Sequence, residues 1–418
     1  MAGSARHTII HRHFLKTSMH SESPRSWPEQ SFNFGFFFFA LYGFAGAFTP
    51  YASLFFADKG MAVAQVGILM SLIQVMRIFG PNLWGWVADH TARRVLVLRI
   101  MAIAAMVVFT SMFFGQTFVQ FLIIMIGINF FTSAQSPISE ALMLSEMRGD
   151  LTHYGRLRLW GSVGFIAAVM IAGKLLDWFG ISLLLWISWF LLALVVVASL
   201  RLRESPEELV PHDTPSVISL LKRREVSAFF CSTFLMIAAH ASVYVFYSLY
   251  LAEIGYSNTV IGLMWSLGVV AEIFFFYYQA PIFRRFGVQK LMMASLVIGV
   301  VRFMMIGVGA ESLFWLLVAQ VLHAATFGAH HSAAVMTMQR WFSGALQARG
   351  QALFISISYG LGGSIGGLAM SFSWDTFGPR AVFFLAAFFA LGAVVAARLS
   401  YRWCNRDGGM ALDAPNMS

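Results

Sequence analysis

Twelve runs of apolar residues divide the sequence, and each is long enough to cross a membrane as a helix, which takes about 20 residues. The runs lie at residues 32–56, 62–86, 95–114, 117–145, 156–178, 181–200, 226–252, 258–282, 290–309, 312–340, 347–371 and 379–400. Since 59% of the residues are hydrophobic and only 11% are charged, against about 25% in ordinary soluble domains, polar side chains are too few to cover the apolar ones in water. The sequence predicts an all-α membrane protein with twelve transmembrane helices.

Lysine and arginine indicate the orientation, because cytoplasmic loops of membrane proteins retain positive charge. If the N terminus is cytoplasmic, the outer side keeps only Lys59, Lys174 and Arg380 of the 28 basic residues, and Arg77 and Arg302 fall within spans. We therefore expect both termini in the cytoplasm. The net charge of +9 does not indicate a nucleic-acid partner, which would require a basic patch on one water-facing surface.

An internal repeat separates the spans into two groups of six. ADKGMAVAQVGILMSL (57–72) aligns without gaps on AEIGYSNTVIGLMWSL (252–267) at an offset of 195 residues. Each segment holds the end of the first span and the start of the second in its group, which predicts two similar six-helix bundles in parallel orientation, a design known from secondary transporters. The expected parts are a cytoplasmic tail (1–30), a first bundle (31–200), a cytoplasmic linker (201–225), a second bundle (226–400) and a cytoplasmic tail (401–418).

The loop after the second span, GWVADHTARR (85–94), resembles the signature that the major facilitator superfamily carries between its second and third helices. Gly85, Asp89, Arg93 and Arg94 fit that pattern, whereas its usual Arg and Gly are replaced by His and Ala at positions 90 and 92. The resemblance implies the fold of that superfamily, and a latch on the cytoplasmic face in which the carboxylate pairs with basic groups and helix ends. The alternative is that the arginines act only as topology determinants.

Charged side chains inside the spans are the first candidates for a functional site, because each costs roughly 2.5–3.5 kcal/mol at the membrane centre and usually faces a cavity or a partner. Arg77 and Glu272 are separated by the repeat offset, so we expect a charge pair between equivalent positions of the two halves. Arg302 and His323 lie about halfway along neighbouring spans. The sequence predicts a cluster of Glu272, Arg302 and His323; the alternative is a structural ion pair with one histidine bonded to a backbone carbonyl.

The chemistry of this cluster suits proton-coupled binding. We expect Arg302 to bind a substrate carboxylate together with His323, and either Glu272 or His323 to carry the proton, since imidazole changes charge near neutral pH. Desolvation disfavours a carboxylate and a nearby arginine favours it, so a substrate anion can switch the acid. His330 falls on nearly the same helical face as His323 and would extend a polar path towards the cytoplasm; the role of His331 stays open.

Two other spans carry recurring residue types. His240, Tyr244 and Tyr247 recur at i, i+4 and i+7 of the seventh span, and they either pack within the protein or bind a flat substrate ring. Gly362 and Gly366 of the eleventh span are four residues apart, which is typical of closely packed membrane helices.

A further segment resembles sugar permeases. YGRLRLWGSVGF (154–165) is similar to the start of the fifth helix in the lactose permease group, in which an acid precedes an arginine by 18 residues and both face the sugar. Glu140 and Arg158 keep that spacing, and the resemblance implies that they bind substrate. Three residues after His323, where lactose permease has its proton-carrying glutamate, this sequence has Thr326, so that proton mechanism does not transfer unchanged.

The strongest resemblance is to the bacterial phenylpropionate permease family. It covers most of residues 35–400 and rests on IGYSNTVIGLMWSLGVVAEI (254–273), GVVRF (299–303), QVLHAATF (320–327) and RLWGSV (158–163). It implies a secondary transporter in the bacterial inner membrane, which imports an aromatic monocarboxylate such as 3-phenylpropionate together with a proton. We further expect a monomer without a metal or cofactor, which uses the proton gradient as its energy source and contacts only its small-molecule substrate, protons and the lipid bilayer.

Two other functions are alternatives to the import of an aromatic acid. A proton-coupled permease for a sugar, an oligosaccharide or a nucleoside would use Glu140 and Arg158 to bind hydroxyl groups. A membrane-embedded enzyme or sensor is disfavoured, because no span carries a His-Glu-x-x-His zinc motif or a nucleophile signature. Cys231 and Cys404 lie far apart and do not indicate a disulfide framework.

Overall fold

The computed structural model describes residues 27–147, 154–205, 218–343 and 346–406, in which all regular secondary structure is helical. Twelve of the helices are long and apolar enough to cross a membrane, and we label them α1 to α12 in chain order. Their bounds are Gln30–Asp58, Val63–Thr91, Arg94–Phe113, Phe118–Glu146, Tyr154–Phe179, Leu183–Arg201, Arg224–Ile254, Asn258–Phe286, Val288–Gly309, Leu313–Trp341, Arg349–Phe377 and Pro379–Asn405. Each coincides with one of the twelve predicted spans, which confirms the fold class.

Successive helices run in opposite directions, so their turns lie alternately at two ends of the bundle. We call the end at which α1 begins and α12 ends the terminal end, and the opposite one the distal end. The first helix begins at Trp27 and the last continues to Arg406, each a few residues inside a predicted tail. The last turns of α12 need only one apolar face to remain helical, and Tyr401 and Cys404 are buried on it. The remaining tail residues and 206–217 of the linker lie outside the described residues, so the boundaries of the two bundles stay a prediction.

Each half packs around its first helix. Helix α1 lies against α5 and α6, and α7 lies correspondingly against α11 and α12. The two halves meet along two helix pairs, α2 with α11 and α5 with α8. These pairs are equivalent under the sequence repeat, since α8 and α11 follow α2 and α5 by six helices. A short helix, Ile218–Leu221, precedes α7.

Glycines allow the closest of these contacts. A Cβ atom at Gly362 or Gly366 would lie 2.7 Å or 2.5 Å from the carbonyl oxygens of Phe234 and Ala238 on α7, closer than non-bonded atoms approach. The close packing that the spacing of these glycines predicts is therefore confirmed. Gly164 of α5 meets the backbone of α1 in the same way.

Three helices of the second half contain π-helical segments, which insert an extra residue into a turn and rotate the residues that follow. The segments are Ser242–Phe246 in α7, Ala324–Ala329 in α10 and Ile355–Gly362 in α11. In the first half, α4 is interrupted at Ser133 and Ala134. A regular period of 3.6 residues therefore fails to describe the faces of helices that carry candidate site residues.

At the distal end the halves are joined by hydrogen bonds. The carboxylate of Asp177, near the end of α5, accepts bonds from the backbone N–H groups of Asn258 (2.8 Å) and Thr259 (2.9 Å) at the start of α8, and from the Thr259 hydroxyl. The hydroxyl of Tyr51 on α1 lies 2.9 Å and 3.1 Å from the carbonyl oxygens of Val169 and Asn258, and can donate to either. Since negative charge is favourable at a helix N terminus, Asp177 caps a helix of the opposite half.

The terminal end differs, because its helix segments pack mainly within their own halves. This holds for Gln135–Glu146 of α4, His330–Trp341 of α10 and Gln347–Phe354 of α11. Between described residues, the hydrogen bonds that join the halves all lie at the distal end, where Ser371 also donates to the carbonyl oxygen of Val63. The cleft between the halves is therefore closed at the distal end, and among the described residues it opens towards the terminal end.

Removal of the Asp177 carboxylate should weaken the distal closure. In Asp177→Ala we expect the ratio of distally open to distally closed molecules to rise about two- to thirtyfold, the range for loss of a helix cap. Spin labels on cysteines at Lys59 and Glu253, both exposed and on opposite halves, would report the change as longer distances in double electron–electron resonance. The background is Cys231→Ser, because Cys231 is exposed whereas Cys404 is buried.

The matched control is Asp375→Ala, which removes another exposed acid near the distal end of α11. Asp375 accepts no hydrogen bond from the opposite half among the described residues, so its removal should leave the distances unchanged. Equal shifts in both variants, or none in Asp177→Ala, would contradict a specific closure by Asp177.

Candidate functional site

A carboxylate and an imidazole meet in the middle of the second half. Oε1 of Glu272 on α8 lies 2.6 Å from Nε2 of His323 on α10, and the two side chains are only 15% and 10% exposed. Gly268, one turn before Glu272, leaves room for the imidazole, since a Cβ there would lie 3.2 Å from Cδ2 of His323. The structure thus brings together two members of the predicted cluster.

The third member, Arg302 of α9, is fully buried and bonded to α10 instead of the acid. Its Nε donates to the carbonyl oxygen of Ala319 (2.8 Å), Nη1 to Oγ1 of Thr326 (3.2 Å) and Nη2 to Oε1 of Gln320 (3.4 Å). Its exposed fraction is 0%, and it forms no ion pair with Glu272. Because the side chain is fully buried and each of its nitrogens donates to a neutral acceptor, a substrate carboxylate can reach Arg302 only if these contacts rearrange; its role as a direct ligand stays a prediction.

The three residues of the predicted α7 face differ in their exposure. His240 and Tyr247 are fully buried; Nδ1 of His240 lies 2.9 Å from the carbonyl oxygen of Met236, and Tyr247 packs against Phe383 of α12. Tyr244 is partly exposed and lies within the π segment, with its ring 6.3 Å from the imidazole of His240. Packing, one of the two alternatives, accounts for His240 and Tyr247, and Tyr244 remains a candidate to bind a substrate ring.

Tyr244 belongs to a set of aromatic side chains from both halves. We call Phe165, Tyr244, Trp265 and Phe327 the aromatic group. The ring of Trp265 lies 6.5 Å from that of Phe165 and 6.2 Å from that of Tyr244, and Phe327 lies 6.3 Å from Tyr244. All four side chains are partly exposed. Phe327 also stacks on His323 at 5.4 Å, so the aromatic group adjoins the buried acid.

The expected charge pair between Arg77 and Glu272 is absent. Both residues lie at the centre of a 29-residue helix, as the repeat predicts, but Glu272 contacts His323. Arg77 is partly exposed, and its Cζ lies 5.8 Å from the ring centroid of Tyr359 on α11. The repeat predicts a shared depth in the membrane but not the direction in which each side chain points.

Of the two histidines that follow His323, His330 differs from expectation, and His331 is the one whose role the sequence left open. His330 is 2% exposed, and neither of its ring nitrogens has a hydrogen-bond partner among the described residues, so it does not line the cleft. His331 lies 2.9 Å through Nδ1 from the hydroxyl of Tyr359 and stacks on Phe327 at 6.2 Å. The π segment between His323 and His330 changes the register, so that His331, and not His330, contacts Tyr359 and Phe327.

In the first half, Glu140 and Arg158 form an ion pair with 3.1 Å between Oε1 and Nε. Ser136 and Tyr154 donate their hydroxyls to the Glu140 carboxylate at 2.9 Å and 3.3 Å. Nη2 of Arg158 donates to the hydroxyl of Tyr42 at 2.6 Å, and the guanidinium lies over the Tyr42 ring. We call these five residues the first-half cluster. The ion-paired side chains are 27% and 32% exposed, so the cluster can exchange its hydrogen bonds with a hydroxyl-bearing ligand.

The predicted latch lies at the terminal end, where α2 turns into α3, and comprises Gly85, Asp89, Arg93 and Arg94. Asp89 is exposed and forms no ion pair with a residue that the structure describes. Arg94 donates to the hydroxyl of Ser145 on α4, and the acid at the start of α3 is Glu204, which accepts a bond from the N–H of Val95 (3.1 Å). Residues 148–153 and 206–217 beside this loop lie outside the described ranges, so the latch stays a prediction.

Several residues of the candidate site and of the distal closure could not be singled out from the sequence, and one could have been. Trp265 and Tyr359 carry no signal of their own, because 16% of the chain is aromatic. Phe327 could have been found, since it lies four residues after His323 and four before His331. Asp177 falls near the end of a span, where an acid is usually only solvated.

Comparison with known proteins decides the family. The sequence model of the MFS_1-like family matches residues 32–385. The chain belongs to this family. This MFS_1-like protein is 28% identical over 356 residues to the probable 3-phenylpropionic acid transporter of Escherichia coli (strain K12). The aligned region covers 84% of this chain and 92% of that protein.

The MFS_1-like chain is also 26% identical over 339 residues to the maltose permease of Geobacillus stearothermophilus, over 79% of this chain and 84% of that protein. The crystal structure of nucleoside transporter NupG matches with a TM-score of 0.77 at 19% identity, and covers 90% of this chain and 98% of that one. The structural match shows a shared fold, and the relatives are transporters and permeases. The protein is therefore a multi-pass membrane transporter for a small molecule and not an enzyme.

Proposed function

We propose that this transporter imports an aromatic monocarboxylate, such as 3-phenylpropionate, together with a proton. The observation that carries the proposal is the aromatic group beside the buried Glu272–His323 pair: flat rings and a titratable acid line one cleft. The name of the Escherichia coli relative supports the substrate class. A pocket of mostly apolar walls with few polar groups is what a small aromatic ligand requires.

The proposed setting is the bacterial inner membrane, with both termini cytoplasmic. Under this orientation the terminal end faces the cytoplasm, and a cleft closed at the distal end is the inward-facing state of a transporter. Rocking of the two halves about the cleft would expose it alternately to each side. We further propose that the transporter acts as a monomer, that the proton gradient is the energy source and that no cofactor takes part.

Glu272 is the proposed proton carrier, and His323 holds it in place. A neutral imidazole with its proton on Nε2 donates to the Glu272 carboxylate, whereas a protonated Glu272 donates to an unprotonated Nε2. Both charge states of the acid can therefore keep the 2.6 Å contact. Nδ1 of His323 has no hydrogen-bond partner among the described residues, so the imidazole is free to adopt either tautomer.

Arg302 supplies a fixed positive charge near this pair. Its three bonds to residues of α10 hold the guanidinium in place, and a buried cation stabilises the ionised form of a neighbouring acid. Entry of the substrate anion would offset that charge and favour protonation of Glu272. Anion and proton then enter together, which is the requirement for symport.

The substrate class is tested by uptake into proteoliposomes with an alkaline interior. We expect accumulation of labelled 3-phenylpropionate, because the proton gradient drives entry, and its loss when an uncoupler is added. Labelled maltose and uridine are measured in parallel. Accumulation of either of these without uptake of any aromatic acid would overturn the proposal.

Proton coupling is tested by Glu272→Gln. Glutamine can still bond to His323 but carries no proton, so gradient-driven accumulation of the acid should fall to the level of the uncoupled protein. Exchange of external labelled acid for internal unlabelled acid should persist, because it needs no net proton transfer. The matched control is Glu140→Gln, which removes another carboxylate from a span and should retain accumulation; the opposite pattern would assign the proton to the first half.

A second candidate function is favoured by the first-half cluster. Its carboxylate, guanidinium and three hydroxyls are typical of a site that binds sugar or nucleoside hydroxyls, and a maltose permease and nucleoside permeases are among the relatives. The parallel uptake of maltose and uridine decides between the two functions.

A further inference from the structure

Arg77 carries a charge at the middle of α2 without an acidic partner among the described residues. The centre of a 29-residue helix lies about 20 Å from either end at 1.5 Å per residue, so the side chain does not reach the membrane surface. A charge at this depth is costly unless it faces a cavity or a partner. Glu272, the acid at the equivalent position of the second half, is paired with His323 and not with Arg77.

The guanidinium lies between the halves. Its Cζ is 5.8 Å from the ring of Tyr359, which belongs to the opposite half. Contact with an aromatic ring does not use the N–H donors. The planar donor set of Arg77 is therefore available for a carboxylate, which an arginine can bind through two parallel hydrogen bonds.

The other arginines near the cleft are committed to protein groups. Arg158 is paired with Glu140 and bonded to Tyr42. Arg302 is fully buried, and all three of its nitrogens donate to α10. Of these three arginines, only Arg77 is partly exposed and has neither an acid nor a hydrogen-bond acceptor as a partner, as far as the described residues extend.

The surroundings of Arg77 connect it to the aromatic group. Tyr359, below the guanidinium, bonds to His331, and the imidazole of His331 stacks on Phe327. The anion site and the ring site therefore share one wall. A ligand that bound at both would need a spacer between its ring and its carboxylate.

We propose that Arg77 is the residue that binds the carboxylate of the substrate, with the substrate ring against Tyr244, Trp265 and Phe327. This assignment rests on the proposed import of an aromatic acid, and it replaces Arg302 as the direct ligand. It also places the anion on the first half and the ring mainly on the second, so that a bound substrate holds the halves together.

The test is a comparison of binding of 3-phenylpropionate and its neutral primary amide. Affinities are measured by calorimetry on the purified protein, on Arg77→Gln and on Arg302→Gln. The original protein should prefer the acid about 10- to 100-fold, as expected for a charge-assisted bond. In Arg77→Gln that preference should vanish while the amide binds as before, which also shows that the variant is folded. Arg302→Gln should lower the preference less than Arg77→Gln does, because it removes a nearby charge and not the direct ligand, and Arg77→Lys should restore part of the preference.

Three outcomes would overturn the assignment. Preference for the acid that persists in Arg77→Gln means that another cation binds it. Loss of the preference in Arg302→Gln alone identifies Arg302 as the ligand. If the original protein binds neither compound, the proposed function itself fails, which is distinct from a wrong choice of arginine.

Discussion

The contact between Glu272 and His323 places an acid where a membrane tolerates it least, and the second half is arranged around it. An unpaired charge at mid-membrane is costly, so the imidazole of α10 must stay beside α8. Arg302 of α9 adds three bonds to the same helix. Polar contacts therefore fix which faces of α8, α9 and α10 meet, whereas apolar contacts alone would tolerate rotation, since lipid is as apolar as the helix surfaces.

The functional groups divide unequally between the halves. The acid, the imidazole and Arg302 all belong to the second half, so in the proposed mechanism rocking of the halves leaves the proton site intact. The aromatic group and the contact of Arg77 with Tyr359 cross the cleft, as does the closure by Asp177. In the proposed mechanism, proton binding is thus a local event, and substrate binding is the event that depends on how the halves are placed. The π segments lie only in helices of the second half within the described chain, where side chains must face both the core and the cleft.

The fold was largely predictable, because the length of apolar runs and the repeat offset are properties of the sequence. The same two properties also predict how deep a residue lies in the membrane, and Arg77 and Glu272 do occupy the centres of equivalent helices. Direction around the helix axis was not predictable for the same residues, since a π segment or a competing acceptor changes it. Arg302 bonds to neutral acceptors and not to Glu272, and His330 is buried whereas His331 contacts Tyr359 and Phe327. The sequence spacing was sufficient to predict that Glu140 and Arg158 act together, because both residues lie in regular helical turns.

The central claim is that a substrate anion changes the protonation of Glu272. Infrared difference spectroscopy measures this directly, because a protonated carboxylic acid has a carbonyl band that a carboxylate lacks. Addition of 3-phenylpropionate should produce such a band, and the band should be missing in Glu272→Gln and present in Glu140→Gln. Binding of the acid without any carboxylic acid band, or a band that survives in Glu272→Gln, would contradict the account.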